Sequence, residues 1–178
     1  MSAFTKRGEK EVWSGAVISV VRGTFVSPSG ATFERDLVHH PGAVAVVPVD
    51  GDEAVLVRQY RSAVDLEILE IPAGKRDVAG EAPEVTAQRE LAEEVGLTAG
   101  RLVKVAEFYN SIGFSDELSH VFLGTDLTPV PDDRQGEEEE HMTIERIRLD
   151  DVPAMIAAGE LVDAKTVIGL LMAREHLA

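Results

Sequence analysis

The stretch that decides the fold is residues 74–97, GKRDVAGEAPEVTAQRELAEEVGL. It places Arg89, Glu90, Glu93 and Glu94 within two helical turns, behind a glycine-rich entry loop. A helix advances about 100° per residue, so Glu90 and Glu94 stand one above the other on one stripe, flanked by Glu93. Val85, Leu91, Ala92 and Val95 fall on the other side and are expected to enter a core. The helix is expected to begin near Pro83, because proline is favoured in a first turn, and to stop at Gly96. Like charges four apart destabilise an isolated helix by roughly 0.2–0.5 kcal/mol per pair. A divalent cation would offset that repulsion, since hard ions such as Mg²⁺ take carboxylate oxygens and keep waters that a phosphate can displace. The ordinary reading of a run such as RELAEE is a solvated face with an internal ion pair, Arg89 to Glu93.

The wider frame favours the metal. Gly74, Glu81, Arg89, Glu90, Leu91, Glu93, Glu94, Gly96 and Leu97 together resemble the Nudix box, G-x5-E-x7-R-E-U-x-E-E-x-G-U, where U is a bulky aliphatic residue. One departure stands out: six residues, not five, separate Gly74 from Glu81. The extra residue lies before the helix, upstream of the carboxylates. The resemblance implies the Nudix fold, an α/β/α sandwich around a mixed β-sheet, here with an N-terminal β extension. It implies Glu90, Glu93, Glu94 and the Ala73 carbonyl as metal ligands, with Glu94 also counted as catalytic. Gly74, Arg89 and Gly96 are the structural members of the motif, Arg89 orienting the carboxylates through Glu93.

Outward from the box, alternating and β-branched runs read as strands. Residues 11–21 and 24–28 suggest a hairpin turning near Gly23, continued by 31–39. Residues 43–48 and 54–59 read as central strands, and 66–71 as a short strand leading into the box. Strands are expected near 102–109, 119–126 and 143–148, and helices over 151–159 and 163–176. Residues 1–42 form the N-terminal extension, a candidate dimerisation element, and 43–178 the catalytic domain. The extension is expected to pair in a homodimer, because exposed strand edges tend to be covered.

Composition sets the class. The 178-residue chain is 44% hydrophobic, enough for one domain with a proper core. The absence of cysteine removes disulfides, thiolate metal sites and thiol nucleophiles. A net charge of −15 argues against sequence-independent nucleic-acid binding. Residues 1–12 are charged and lack the apolar core of a signal peptide, and no apolar stretch reaches the ~20 residues of a membrane span. The expected location is the cytoplasm.

Three flanking segments resemble ADP-ribose pyrophosphatases within that family. VRQYR (57–61) followed by EILEIPAG (67–74) implies that Arg58, Arg61 and Glu70 bind substrate, the arginines clamping a diphosphate. NSIGFSDE (110–117) implies Ser115 and Glu117 at the terminal ribose. GEEEEHMTI (136–144) implies a catalytic loop, with Glu140 on metal and Glu138 as base; in a run of four glutamates Glu139 is the alternative base. Singly, each segment also suits an ordinary surface arginine, a turn or a solvated acidic loop. The implied reaction is Mg²⁺-dependent (or Mn²⁺-dependent) hydrolysis of ADP-ribose to AMP and ribose 5-phosphate. Its activity is expected to rise into the alkaline range and to vanish with chelator. Two other readings remain: a different nucleoside diphosphate derivative such as GDP-mannose, or a non-hydrolysing ADP-ribose sensor.

Overall fold

The computed structural model describes residues 3–134 and 140–178. By internal contacts it divides into two units, residues 1–42 with 109–118, and residues 43–108 with 119–178.

The first unit is a three-stranded antiparallel sheet, β1 (Thr5–Ser14), β2 (Ser19–Val26) and β3 (Thr32–His39). The β1–β2 turn lies at residues 15–18, closed by Gly15 N–H to Ile18 O, and not at Gly23. Gly23 instead sits inside β2, opposite Glu9 and Arg35. A Cβ there would press on the Phe25 ring and Leu37, so this glycine serves a close side-chain approach and no turn. Every residue of β1 is exposed.

The second unit holds β4 (Ala43–Asp50), β5 (Glu53–Arg61), β6 (Leu66–Glu70), β7 (Ala73–Lys75), β8 (Leu97–Tyr109, whose last residue belongs to the first unit), β9 (Leu118–Pro129, whose first residue also does) and β10 (Thr143–Arg148). The order β10-β5-β4-β9-β8 is mixed, because β4 and β9 run parallel. Strands β6 and β7 pair on β5 and β4.

Central strand β4 is apolar on both faces, as a strand covered twice must be. Ala45, Val47 and Val49 pack with Val152 of α2 (Val152–Ala158) and with Leu170 and Ala173 of α3 (Ala164–Leu177). Val44 and Val46 pack with Ala87, Leu91 and Val95 of α1 (Pro83–Val95). Helices therefore cover both faces of a mixed sheet, the expected α/β/α sandwich.

Helix α1 begins at Pro83 and ends at Gly96, whose left-handed φ of 65° lets its N–H reach back to Ala92 O. Its buried stripe is Ala87, Leu91 and Val95, spaced by four. Val85 lies off that stripe and is 56% exposed, against expectation. Six residues before Leu91 it has rotated by about 120° away from the sheet. Among the described residues, no helix is long and apolar enough to cross a membrane.

Candidate active site

The carboxylates of α1 do not all face solvent. Glu94 is buried, and its Oε2 accepts a hydrogen bond from Ala73 N–H at 3.0 Å. Glu90 rises beside β7: a Cβ on Gly74 would run into its carboxylate, so only glycine fits that position without moving Glu90. Arg89 answers part of the negative charge. Its Nη1 is 2.9 Å from both Glu90 Oε1 and Glu93 Oε2, and its Nη2 is 3.5 Å from Glu81 Oε2. Thr86 Oγ1 also donates to Glu81, at 2.6 Å, which ties the six-residue entry loop to the first turn of the helix. Repulsion along the helix is thus offset in part by an arginine of the same helix.

Among the described residues, no three acidic or histidine side chains converge as they would around an ion. Arg89 lies between Glu90 and Glu93, and Glu94 is turned toward Ala73. The donors nevertheless suit a hard divalent cation: Glu90 and Glu93 share one neighbouring arginine, and the buried Glu94 stands on the same helix beside a glycine cradle.

The segment leading to Ala73 is fastened from both faces of the sheet. Ile71 N–H donates to Thr166 Oγ1 at 3.0 Å, and that hydroxyl donates to Asp163 Oδ2 at 2.8 Å, at the start of α3. Asp163 caps this helix through Thr166 N–H at 2.9 Å. Burial pushes the Asp163 carboxyl up, but Lys165 and the Thr166 donors outweigh it and leave its pKa below the ordinary value.

Arg61 and Arg58 each hold a glutamate. Arg61 forks onto Glu70 through two bonds of 2.6 and 2.7 Å, Glu70 being 2% exposed, with Lys165 Nζ 3.7 Å away. Arg58 forks onto Glu145 at 2.5 and 3.2 Å. Hydrogen bonding to these partners is the main reason that both guanidinium pKa values are raised.

Glu140 is described and exposed, whereas Glu138 and Glu139 lie outside the described residues. Ser115 and Glu117 lie in the first unit. There Ser115 Oγ accepts from Glu117 N–H at 3.2 Å, and Ser115 bridges to Val38 of β3. Ser115 also lines a pocket of about 300 Å³ with Leu37, Tyr109, Ile112 and Phe114. Its neighbour Asp116 accepts from His40 N–H at 2.9 Å and meets His39 Nδ1 at 2.5 Å, while His39 Nε2 is 3.2 Å from Glu9. The His39 pKa is raised, chiefly by the bond to Asp116 and then by that to Glu9.

Sequence reasoning passed over Arg134. Its Nε donates to Glu94 O at 3.2 Å and its Nη1 to Met142 O at 3.0 Å, joining the last turn of α1 to the start of β10. Val130 and Asp133 N–H groups take the Gly96 and Glu93 carbonyls, so the α1 C-terminus is closed by chain that follows β9. A lone arginine in an irregular segment carries no local signal for this.

Comparison with known proteins agrees with this geometry. The NUDIX domain family matches residues 39–167. The chain is 41% identical to the ADP-ribose pyrophosphatase of Bacillus subtilis, over 89% of this chain and 85% of that protein. It is 36% identical to the ADP-ribose pyrophosphatase of Mycobacterium tuberculosis, over 94% and 82%. It is 34% identical to a GDP-mannose pyrophosphatase of Enterobacter, over 64% and 62%. The crystal structure of an ADP compounds hydrolase superposes with a TM-score of 0.85, covering 98% of this chain and 94% of that one at 23% identity, a likeness of fold. Nudix hydrolases generally use divalent metal ions, the need that the α1 carboxylates would meet. A glycine cradle, a helix of gathered carboxylates and a match over most of the chain coincide on the same residues: the protein belongs to the Nudix family and is a hydrolase of phosphorus-containing anhydrides.

Proposed function

We propose that the protein hydrolyses the diphosphate of ADP-ribose to AMP and ribose 5-phosphate. The observation that carries the substrate is the extent of similarity. Two ADP-ribose pyrophosphatases match about nine-tenths of the chain at 41% and 36% identity, whereas the GDP-mannose pyrophosphatase matches 64% of it.

Glu90, Glu93, Glu94, Glu140 and the Ala73 carbonyl would hold Mg²⁺, with Mn²⁺ as the alternative. Bound there, the ions neutralise diphosphate charge and lower the pKa of water. Arg89 keeps Glu90 and Glu93 apart and aimed while no ion is bound. Glu138 (or Glu139) takes the proton of the attacking water. Arg61 and Arg58 clamp the diphosphate by exchanging a glutamate fork for a phosphate one, since guanidinium fits both bidentately. Ser115 and Glu117 contact the terminal ribose. The extension pairs two copies as a homodimer: β1 is an exposed edge strand bearing Val12 and Trp13, each more than half exposed. The reading places the enzyme in the cytoplasm.

The test is turnover of ADP-ribose, GDP-mannose, UDP-glucose, diadenosine polyphosphate and NADH, with Mg²⁺ and with chelator. ADP-ribose is expected to lead by tenfold or more in kcat/KM, about 1.4 kcal/mol of transition-state preference. A lead by GDP-mannose would reassign the substrate. Glu94→Gln is expected to abolish nearly all turnover; an unaltered rate would remove Glu94 from the machinery.

A further inference from the structure

Arg76 follows the glycine cradle by two residues, and its guanidinium holds no carboxylate among the described residues. Exposed Arg7, Arg35 and Arg101 show none either, but Arg76 is partly buried, and the comparably buried Arg58, Arg61 and Arg89 each engage a glutamate. Its Nε is buried with no hydrogen-bond partner, and its Nη1 makes one long contact, 3.5 Å, to His120 Nε2.

His120 is 7% exposed and stands on β9 opposite Val44, which is itself opposite Gly74 of β7. Residues directly paired across a ladder point to the same face, so His120 and the Gly74 position share the face covered by α1, about 10 Å apart at ~4.8 Å per strand. Glu107 Oε2 approaches His120 Nδ1 to 2.9 Å, out of line for a good hydrogen bond, and Lys104 shares that carboxylate at 2.8 Å. Burial, the largest influence, and the neighbouring charge of Arg76 lower the His120 pKa, so its ring can offer Nε2 as an acceptor.

A buried imidazole acceptor beside a guanidinium fixes the direction of the latter and leaves its remaining N–H groups for another partner. Two residues along the chain from the glycine cradle, the partner that suits them is an anion. Resting on the reading that this site works on a diphosphate, we propose that Arg76, positioned by His120, donates to a non-bridging phosphate oxygen of the substrate. It would supply the anion contact that needs no prior release of a glutamate.

Calorimetric titration with imidodiphosphate and Mg²⁺ tests this, because the P–N–P probe mimics the diphosphate without turnover. Arg76→Gln is expected to weaken the probe tenfold or more while Mn²⁺ binding without the probe stays unchanged. Arg76→Lys, which keeps charge and stem, should weaken it about threefold. His120→Gln, which retains an acceptor, should bind within threefold of the parent, and His120→Leu should not. An Arg76→Gln affinity within twofold of the parent would overturn the proposal, as would loss of Mn²⁺ binding in that variant or failure of the parent to bind the probe. If probe binding depends on Arg76 while another nucleoside diphosphate leads the substrate panel, this contact stands and the ADP-ribose reading falls.

Discussion

Arg61 Nε and Nη2 both donate to the Glu70 carboxylate, at 2.6 and 2.7 Å, so a nominated substrate-binding arginine already carries an anion. The pair is asymmetric: Glu70 is nearly fully buried, while the Arg61 side chain is 40% exposed. Removing the arginine strands a buried carboxylate, with Lys165 at 3.7 Å as its remaining cation. Arg61→Ala is therefore expected to lower the unfolding free energy by about 2–3 kcal/mol, somewhat less than the roughly 3–5 kcal/mol for breaking a fully buried pair, because the arginine is partly exposed. Arg61→Lys keeps a cation but loses the fork, and should reduce kcat/KM about tenfold with a smaller loss of stability. Urea titration beside steady-state kinetics separates the two effects.

Gly74→Ala should divide activity from stability. The new Cβ would meet the far end of a flexible side chain, the Glu90 carboxylate, which can swing aside at a cost of about 1 kcal/mol or less. Displaced, that carboxylate would leave the metal site proposed for it. We expect Mn²⁺ affinity and kcat to fall at least tenfold with a near-native melting temperature, read by calorimetry and thermal unfolding.

The depressed carboxyl of Asp163 predicts an acid-sensitive helix start. A lowered folded-state pKa means that its ionised form stabilises the fold above the unfolded value, near pH 4, and that this contribution disappears as pH falls through the folded value. Asp163→Asn retains an N-cap and should flatten the stability difference between pH 5 and pH 2. Asp163→Ala should lose about 1 kcal/mol at pH 7 as well. An unchanged acid limb in the asparagine variant would remove Asp163 as its source.

Gly169 of α3 faces Ile71, Val121 and Val47, whose methyl groups would lie 3.0–3.1 Å from an added Cβ. Alanine is favoured over glycine in a helix by about 1 kcal/mol, but overpacking in a dense core costs typically 1–3 kcal/mol. Gly169→Ala is expected to be destabilising by about 1 kcal/mol, because three branched side chains from β4, β9 and the β6 end would have to yield together. Chemical denaturation would reveal the sign.

The helix bearing the carboxylates was the most legible element, since Pro83 and Gly96 bracket it chemically. The central strands were nearly as plain, because a run such as AVAVVPV has no polar face to place outside. Gly23 misled because glycine marks both turns and close approaches, and only the neighbours, Phe25 and Leu37, distinguish them. Val85 misled because six residues of helix were treated as one face. The partners of the functional side chains were invisible for a different reason. Arg58 meets Glu145 across 87 residues and His39 meets Asp116 across 77, and one sequence carries no sign of which distant charge will fold beside which. Arg61 and Glu70 were both singled out, yet as two contacts to substrate and not as a pair with each other.

The fastening of residues 71–73 has a consequence for how the enzyme reports occupancy. Thr166 grips the segment from one face of the sheet and Glu94 from the other. A cation that draws Glu94 away from Ala73 N–H releases one end of a short strut whose other end is the opening turn of α3. If Glu94 takes a metal as proposed, the C-terminal helix would then be a listener: protection of the Thr166 and Val167 amides against solvent exchange should change on metal loading, although neither residue belongs to the carboxylate cluster.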